Sequence, residues 1–262
     1  MNNISYEIKP VFTPSATICH DFARVQISSL SSQEKLSFYK QTTSDCFDTL
    51  PPKEKPLMLA EMQTSFVCND LARAYLNAWN MEPNVFAFAA YDAKEMVGFI
   101  TGSLTGKNMF TRGLYVMPKY QSYGIGTSLL DSAENATSLV APNMELFSLP
   151  DAVSFYENRG YKNDLVLGRI IKIKKLSNAT GIIPVFQWCE KLQSRLNMKF
   201  DTNLLKEKEH QPIFVYVNRQ QKIDGIAIRM SNGEQKISVN SKRKNLSQFY
   251  TQKLSEALNR SL

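Results

Sequence analysis

The chain has 262 residues, 43% of them hydrophobic and 21% charged, with a formal net charge of +7 at pH 7. That length holds one large domain or two small ones, and the composition is that of a soluble globular protein with no run approaching a membrane-spanning helix. The start, Met1-Asn-Asn-Ile-Ser5, lacks the basic-then-apolar pattern of a secretory signal, and Cys19, Cys46, Cys68 and Cys189 form no Cys-x-x-Cys pair. We therefore expect reduced thiols in a cytoplasmic protein, with neither a disulfide framework nor a metal site. The charge is uneven: residues 1–175 carry 17 basic and 17 acidic side chains, residues 176–262 carry 14 and 7.

In chain order, Ile4 to Phe12 alternates well enough for a first strand, closed by Pro10 to Pro14. Ser15 is placed to cap a helix running toward Ser29. Ser31 or Ser32 starts a second helix with Leu36, Phe38, Tyr39 and Phe47, broken by Pro51, Pro52 and Pro56. A third follows, with Leu57, Leu59, Met62, Phe66, Leu71, Tyr75, Leu76 and Trp79 at helical spacing. Val85 to Tyr91 and Met96 to Ser103 read as a hairpin around Asp92-Ala-Lys-Glu95, and Met109 to Val116 as the next strand. After a helix to about Val140 come a strand from Asn143 to Leu149, a helix from Asp151 to Asn158, and a strand from Tyr161 to Ile173. The fold class is α/β (α+β), a mixed central sheet flanked by helices.

The stretch from Leu114 to Leu130 organises the rest. Leu114, Tyr115 and Val116 end a β-prone run, and Pro118 cannot donate to a sheet ladder. Gly124 and Gly126 allow backbone conformations, or a close approach, that a Cβ would forbid. From Thr127 the pattern is helical, with Leu129, Leu130, Ala133 and Ala136 on one face. A helix starting just after a glycine turn aims unpaired N–H groups and a positive dipole end at one spot, which suits a phosphate.

Gln121-Ser-Tyr-Gly124-Ile-Gly126, preceded by Val116-Met-Pro118, resembles the pyrophosphate-binding signature of the GNAT superfamily of N-acetyltransferases. Downstream, Ala152-Val-Ser-Phe155-Tyr156-Glu-Asn-Arg-Gly160-Tyr161 resembles that family's Ala-x-x-Phe-Tyr-x-x-x-Gly-Phe segment. The resemblance covers about residues 4–175 and implies acetyl-CoA as co-substrate and an amine acceptor. It places the diphosphate on Gln121, Ser122, Tyr123, Gly124, Ile125, Gly126 and Thr127. The pantetheine arm would lie along Leu114, Tyr115 and Val116, with an N–H near Val116 or Met117 facing the thioester oxygen. Tyr156 matches the family's general acid, and its other reading is an anchor holding a helix to the sheet.

Two positions depart from the family pattern. The acidic residue many relatives carry on the fourth strand is missing from Met109-Phe-Thr-Arg-Gly-Leu-Tyr-Val116. Glu61, Asp70, Asp92, Glu95, His20, His210 and a water chain remain as ways to deprotonate the amine. The family's Asn before the Ala-x-x-Phe-Tyr segment is Leu149 here, so that coenzyme contact is lost or passes to Ser148. The helices before the hairpin set acceptor choice in the family, and small amines, aminoglycosides, peptide N-termini and protein lysines all fit.

Beyond Leu176-Ser-Asn-Ala-Thr-Gly181, a polar linker, we expect a helix from Val185 to about Phe200, strands Pro212–Asn218, Lys222–Met230 and Glu234–Val239, and a helix from Leu246 to Leu258. The hairpin from Gln211 to Ile228 is similar to that from Asn84 to Thr101, with Gly225 matching Gly98. Residues 176–262 thus form a smaller C-terminal α/β domain, either a truncated second GNAT-like half or an unrelated appendage. Lys242-Arg-Lys244 stands where the first copy has its glycine turn. A rival function follows: a non-catalytic acyl-CoA-binding protein whose basic end, with Lys236 and Tyr250, holds an acidic macromolecule. No nucleic-acid motif stands out, so nucleic acid is not the expected partner.

Overall fold

The structure is a computed structural model that describes residues 5–31, 55–81, 84–106, 108–141, 143–164, 169–173, 180–186, 188–200, 212–230, 232–240 and 244–261. Strand β1 (Glu7–Val11) leads into helix α1 (Ala16–Ser29), and α2 (Lys55–Met81) precedes the meander β2 (Val85–Asp92), β3 (Glu95–Thr105) and β4 (Asn108–Val116). A single 3₁₀ turn, Pro118–Tyr120, connects β4 to α3 (Ile125–Thr137). Then come β5 (Asn143–Leu146), a 3₁₀ turn Pro150–Ala152, α4 (Val153–Glu157), β6 (Lys162–Asp164) and β7 (Arg169–Ile173). The last third contains β8 (Gly181–Pro184), α5 (Glu190–Gln193), β9 (Ile213–Val217), β10 (Ile223–Arg229), β11 (Gln235–Val239) and α6 (Lys244–Arg260). No helix among the described residues is long and apolar enough to cross a membrane.

The first sheet has the order β1-β2-β3-β4-β5-β7-β6. Its ladders are antiparallel except β4 with β5, which run parallel. Helices α1 and α2 cover one face. Ser15 caps α1 as expected, its Oγ accepting from the Ile18 N–H. Phe22 stacks on Phe99 at 4.5 Å, and Trp79 from α2 joins the same buried cluster. Helix α3 covers the other face, where the predicted stripe of Leu129, Leu130, Ala133 and Ala136 is buried together with Ile125.

The second sheet, β11-β10-β9-β8, is an antiparallel meander followed by α6. One face packs into the cluster that holds α3, with Ile183, Val215 and Ile226 buried alongside Phe86, Leu130 and Leu139. Phe186 bridges the halves, its ring 5.1 Å from Phe12 and 5.4 Å from Phe88. The other face is closed by Leu254 and Leu258 of α6 against Phe214 and Ala227.

Several boundaries differ from the sequence reading. The expected helix from Val185 to Phe200 is only the short α5, because Val185 continues the ladder by donating to the Ile213 carbonyl and Leu196 bridges Ile223. The supposed linker ends in a strand, β8, too short to show alternation. The strand expected from Tyr161 to Ile173 is two antiparallel ones, β6 and β7. Strand β5 stops at Leu146, and α3 begins at Ile125, two residues before Thr127. The helix expected from Ser31 or Ser32 lies outside the described residues.

Candidate active site

The site begins where β4 and β5 part. Their parallel ladder runs from Asn108↔Asn143 to Thr111↔Leu146 and ends, while β4 continues to Val116. The β4 register against β3 jumps at this point: Thr101 pairs with Gly113 and Gly102 with Thr111, leaving Arg112 as a bulge. A bulge increases local twist and bends its strand. Beyond it, β4 stays on β3 and presents its other edge to a gap. Exposed Phe147 and Leu149 follow β5 across that gap, and Phe147 packs edge-on against Phe110 at 5.6 Å.

The ladder decides which β4 groups face the gap. The Met117 N–H donates to the Val97 carbonyl at 2.9 Å, so Met117 is not the free donor the sequence allowed. Antiparallel pairs alternate between bonded and non-bonded. Gly98↔Val116 and Ile100↔Leu114 are then the non-bonded pairs, and the N–H groups of Val116 and Leu114 point to the opened edge. Tyr115 turns its main chain to β3 and its ring to the α1 side, against Phe99 at 5.3 Å.

The turn after β4 is tied down from both ends. The Tyr120 hydroxyl donates to Asp92 Oδ2 at 2.9 Å, and Lys119 pairs with Glu95. Gln121 Nε2 donates to the Val116 carbonyl at 3.1 Å, fixing the turn to the end of the strand. Ser122 (φ 67°) and Gly124 (φ 81°) then take left-handed backbone, and Gly124 is the N-cap of α3. The first intrahelical bond runs from Ser128 N–H to Gly124 O. No side chain caps the helix, so the N–H groups of Ile125, Gly126 and Thr127 point out of its exposed end. Ile125 itself is buried and offers only its backbone, whereas Tyr123 is exposed.

Tyr156 on α4 is buried, with Phe155 and Tyr161 packed edge-on at 5.0 and 5.6 Å. Its hydroxyl has no hydrogen-bond partner among the described residues. Burial, and after it the nearby Tyr115 phenol, pushes Tyr156 up to about 12, so it is a neutral donor at pH 7.

On the α1 and α2 side, a cavity of about 270 Å³ reaches the freed part of β4 at Arg112 and Tyr115. Tyr75, Trp79 and Leu71 from α2 and Gln26 from α1 line it. Tyr75 Oη donates to Gln26 Oε1 at 2.7 Å, and Gln26 Nε2 donates to Tyr115 Oη at 3.2 Å. Burial raises the Tyr75 phenol strongly, so it stays neutral. The Trp79 indole N–H is buried without an acceptor among the described residues. The sequence placed Tyr75 and Trp79 on the right helix. It gave no sign of Gln26, which depends on how α1 crosses β4, or of Arg112, which lines the cavity from the bulge.

Of the carboxylates and histidines singled out from the sequence, the Glu61 side chain is outside the described residues, and the others that are described lie elsewhere. Asp92 and Glu95 hold the turn, Glu95 also pairing with Arg24, and Asp70 pairs with Arg73. His20 is exposed on α1, and His210 lies outside the described residues. Ser148 donates to the Leu149 carbonyl. In the last third, Tyr250 stacks on Tyr216 at 3.7 Å and its hydroxyl is bonded to that of Tyr216 at 2.7 Å, so it is spent inside the fold. Lys242 and Arg243 lie outside the described residues.

A mixed sheet that opens beside an uncapped helix end is what the resemblance to the acetyltransferases implies. The profile of the acetyltransferase (GNAT) domain matches residues 48–167. An uncharacterized N-acetyltransferase of Methanocaldococcus jannaschii is 33% identical over 127 residues, 43% of this chain and 80% of that protein. Among solved structures, the PaiA N-acetyltransferase of Thermoplasma acidophilum in complex with coenzyme A is 20% identical, covering 65% of this chain and 99% of its own, with a TM-score of 0.39. An acetyltransferase of Thermus thermophilus is 17% identical, covering 66% and 99%, with a TM-score of 0.44. The chain belongs to the GNAT superfamily of N-acetyltransferases.

Proposed function

We propose that the protein transfers an acetyl group from acetyl-CoA to an amine by direct attack. The observation that carries this is the edge of β4 released past Thr111, ending beside the uncapped N-terminus of α3. The N–H groups of Ile125, Gly126 and Thr127, with the turn from Gln121 to Gly124, would hold the diphosphate. The main chain of Leu114 and Val116 would pair with the pantetheine amides. The Val116 N–H would face the thioester oxygen, where a preorganised donor is worth roughly 3–4 kcal/mol in comparable sites.

In the transfer, the amine nitrogen bonds to the acetyl carbon and the carbon–sulfur bond breaks. The Tyr156 hydroxyl gives its proton to the departing sulfur, and the amine loses one to water. No carboxylate among the described residues lines the cavity. Its apolar walls disfavour an ammonium ion, so the surroundings themselves favour the neutral nucleophile. Calorimetry with acetyl-CoA tests the reading: binding that is lost when Gly126 becomes Leu supports it, and no binding to the intact chain overturns it.

We read residues 176–262 as a truncated second copy of the first half. In both, a strand is followed by helix and by a three-strand antiparallel meander and a closing helix. Gly98 pairs with Val116 and Gly225 with Val239, each pair beside a register shift. A Cβ at Gly98 would sit 3.2 Å from Leu129 of α3, and one at Gly225 3.0 Å from Leu254 of α6. Superposition of the two meanders on an experimental structure tests the reading: helices that cross their sheets in different directions overturn it.

A further inference from the structure

Resting on the acetyltransferase reading with Tyr156 as its acid, we propose that Glu134 and Tyr161 are positioning residues that set the Tyr156 phenol against the coenzyme. Tyr161 stands where the acetyltransferase segment it resembles ends in Phe, so its hydroxyl is an addition to the ring that fills the core. That hydroxyl donates to Glu134 Oε1 at 2.9 Å. Both partners are buried, Tyr161 3% exposed and Glu134 2%. A carboxylate costs free energy to bury, and an apolar pair of similar volume often fills such a space as stably. What a buried hydrogen bond to a carboxylate adds is a fixed length and direction.

The bond joins the two parts that must meet in the reaction. Glu134 lies on α3, whose first turn is proposed to hold the diphosphate, and Tyr161 follows α4, which carries Tyr156. Three residues earlier on the same face of α3, Asp131 pairs with Arg159. The residues tied to α3, Arg159 and Tyr161, are the ones whose N–H groups donate to the Tyr156 carbonyl, at 2.9 and 3.1 Å. The Tyr161 ring also meets the Tyr156 ring edge-on at 5.6 Å. Main chain and ring of Tyr156 are thus both referred to α3, the element that would carry the coenzyme. Of the two ties, the Asp131 side chain is 59% exposed, where an ion pair is worth little, so the buried Glu134 tie sets the position. A misplacement of about 1 Å between reacting groups can cost about 100-fold in rate.

The test follows thiol release from acetyl-CoA with phenylethylamine, spermidine or a short peptide as acceptor, and with water alone. The fastest is carried forward, since each requires the same proton on the departing sulfur. Tyr161→Phe and Glu134→Leu should each lower kcat by about tenfold or more, with the dissociation constant for acetyl-CoA, read by calorimetry, within about threefold of the parent. Glu134→Gln keeps an acceptor for the Tyr161 hydroxyl and should retain most of the rate. In a Tyr156→Phe background, Tyr161→Phe should change kcat by less than about twofold, whereas a merely structural loss acts there too. Tyr161→Phe carries the test if Glu134→Leu does not fold. An unchanged kcat in Tyr161→Phe, an equal fall in the Tyr156→Phe background, or a Glu134→Gln as slow as Tyr161→Phe overturns the proposal. If Tyr156→Phe alone leaves kcat unchanged, the acid assignment falls and takes this one with it. If acetyl-CoA does not bind the intact chain, the acetyltransferase reading falls before either.

Discussion

Gly124 and Gly126 look alike in the sequence, yet the structure asks different things of them, and three substitutions separate the two demands. Gly124 sits at φ 81°, where an L side chain is strained even though the nearest atom to an added Cβ, Tyr6 Oη, is 3.8 Å away. Left-handed backbone costs a non-glycine residue about 1–2 kcal/mol, and in a chain of this size that is roughly 2–8 °C of melting temperature. Gly126 lies in the first turn of α3 with helical backbone, and an added Cβ would meet Val116 Cγ2 at 3.7 Å and Phe155 Cζ at 3.8 Å, ordinary contacts. Gly126→Ala should therefore keep or raise stability, by up to about 1 kcal/mol from helix propensity. Gly126→Leu should leave the melting temperature near that of the parent but place a side chain where the diphosphate must approach the helix end, weakening acetyl-CoA binding by about 100-fold or more. Thermal unfolding and calorimetry on Gly124→Ala, Gly126→Ala and Gly126→Leu read both quantities. The reasoning fails if Gly124→Ala loses no stability, or if Gly126→Leu binds acetyl-CoA as the parent does.

Tyr156→Phe should lower kcat by about 100-fold or more, with acetyl-CoA affinity changed less than about threefold; stopped-flow turnover at saturating substrates checks it. With its phenol raised to about 12, Tyr156 keeps its proton through the working range, so a kcat profile with a basic limb centred near pH 10 would count against it as the acid. The sign for stability follows: below pH 10 Tyr156 is neutral folded or unfolded, and between 10 and about 12 only the unfolded chain ionises, so its contribution is lost as pH rises through that window. Tyr120→Phe removes the hydroxyl bond to Asp92 that holds the turn, worth about 1 kcal/mol; KM for acetyl-CoA should rise several-fold at nearly constant kcat.

What could be read in advance was local. Strands β2, β3 and β4 are short β-prone runs set off by turn residues, Pro118 and Gly124 punctuate the chain, and Leu129, Leu130, Ala133 and Ala136 share a helix face. Each of these signals lies within a dozen residues of the feature it specifies. The cavity beside α1 and α2 is different in kind. Gln26, Tyr75 and Tyr115 meet across 89 residues of sequence, and their hydrogen bonds depend on how α1 and α2 cross β4. Arg112 reads as an ordinary strand residue, and only the jump in pairing with β3 shows that its side chain leaves the ladder. The false helix after Val185 has a comparable cause. Its apolar residues recur at helical spacing, but Phe186 is drawn into the aromatic contacts with Phe12, Phe86 and Phe88.

The same contacts predict what happens if the last third is removed. A chain ending at 175 keeps every residue proposed to bind acetyl-CoA, and a reading of two independent units expects it to fold and bind. The packing argues otherwise. Val185, Phe186 and Leu192 lie against Ala136, Leu139 and Leu104, and the Lys191 ammonium donates to the Val140 carbonyl at 3.0 Å. Ile183, Val215 and Ile226 belong to the cluster that buries α3. Removing these partners uncovers Phe12, Phe86, Leu104 and Leu139; exposing a buried aliphatic or aromatic side chain costs roughly 1.5–3 kcal/mol, so these four cost up to about 6–12 kcal/mol, comparable with a whole domain's stability of about 5–15 kcal/mol. The shortened chain should be aggregation-prone, with no cooperative thermal transition, while a chain carrying only Phe186→Ala should fold with a lowered melting temperature. A soluble 1–175 fragment that melts cooperatively and binds acetyl-CoA with the parent's affinity would show that the second sheet leans on the first without supporting it.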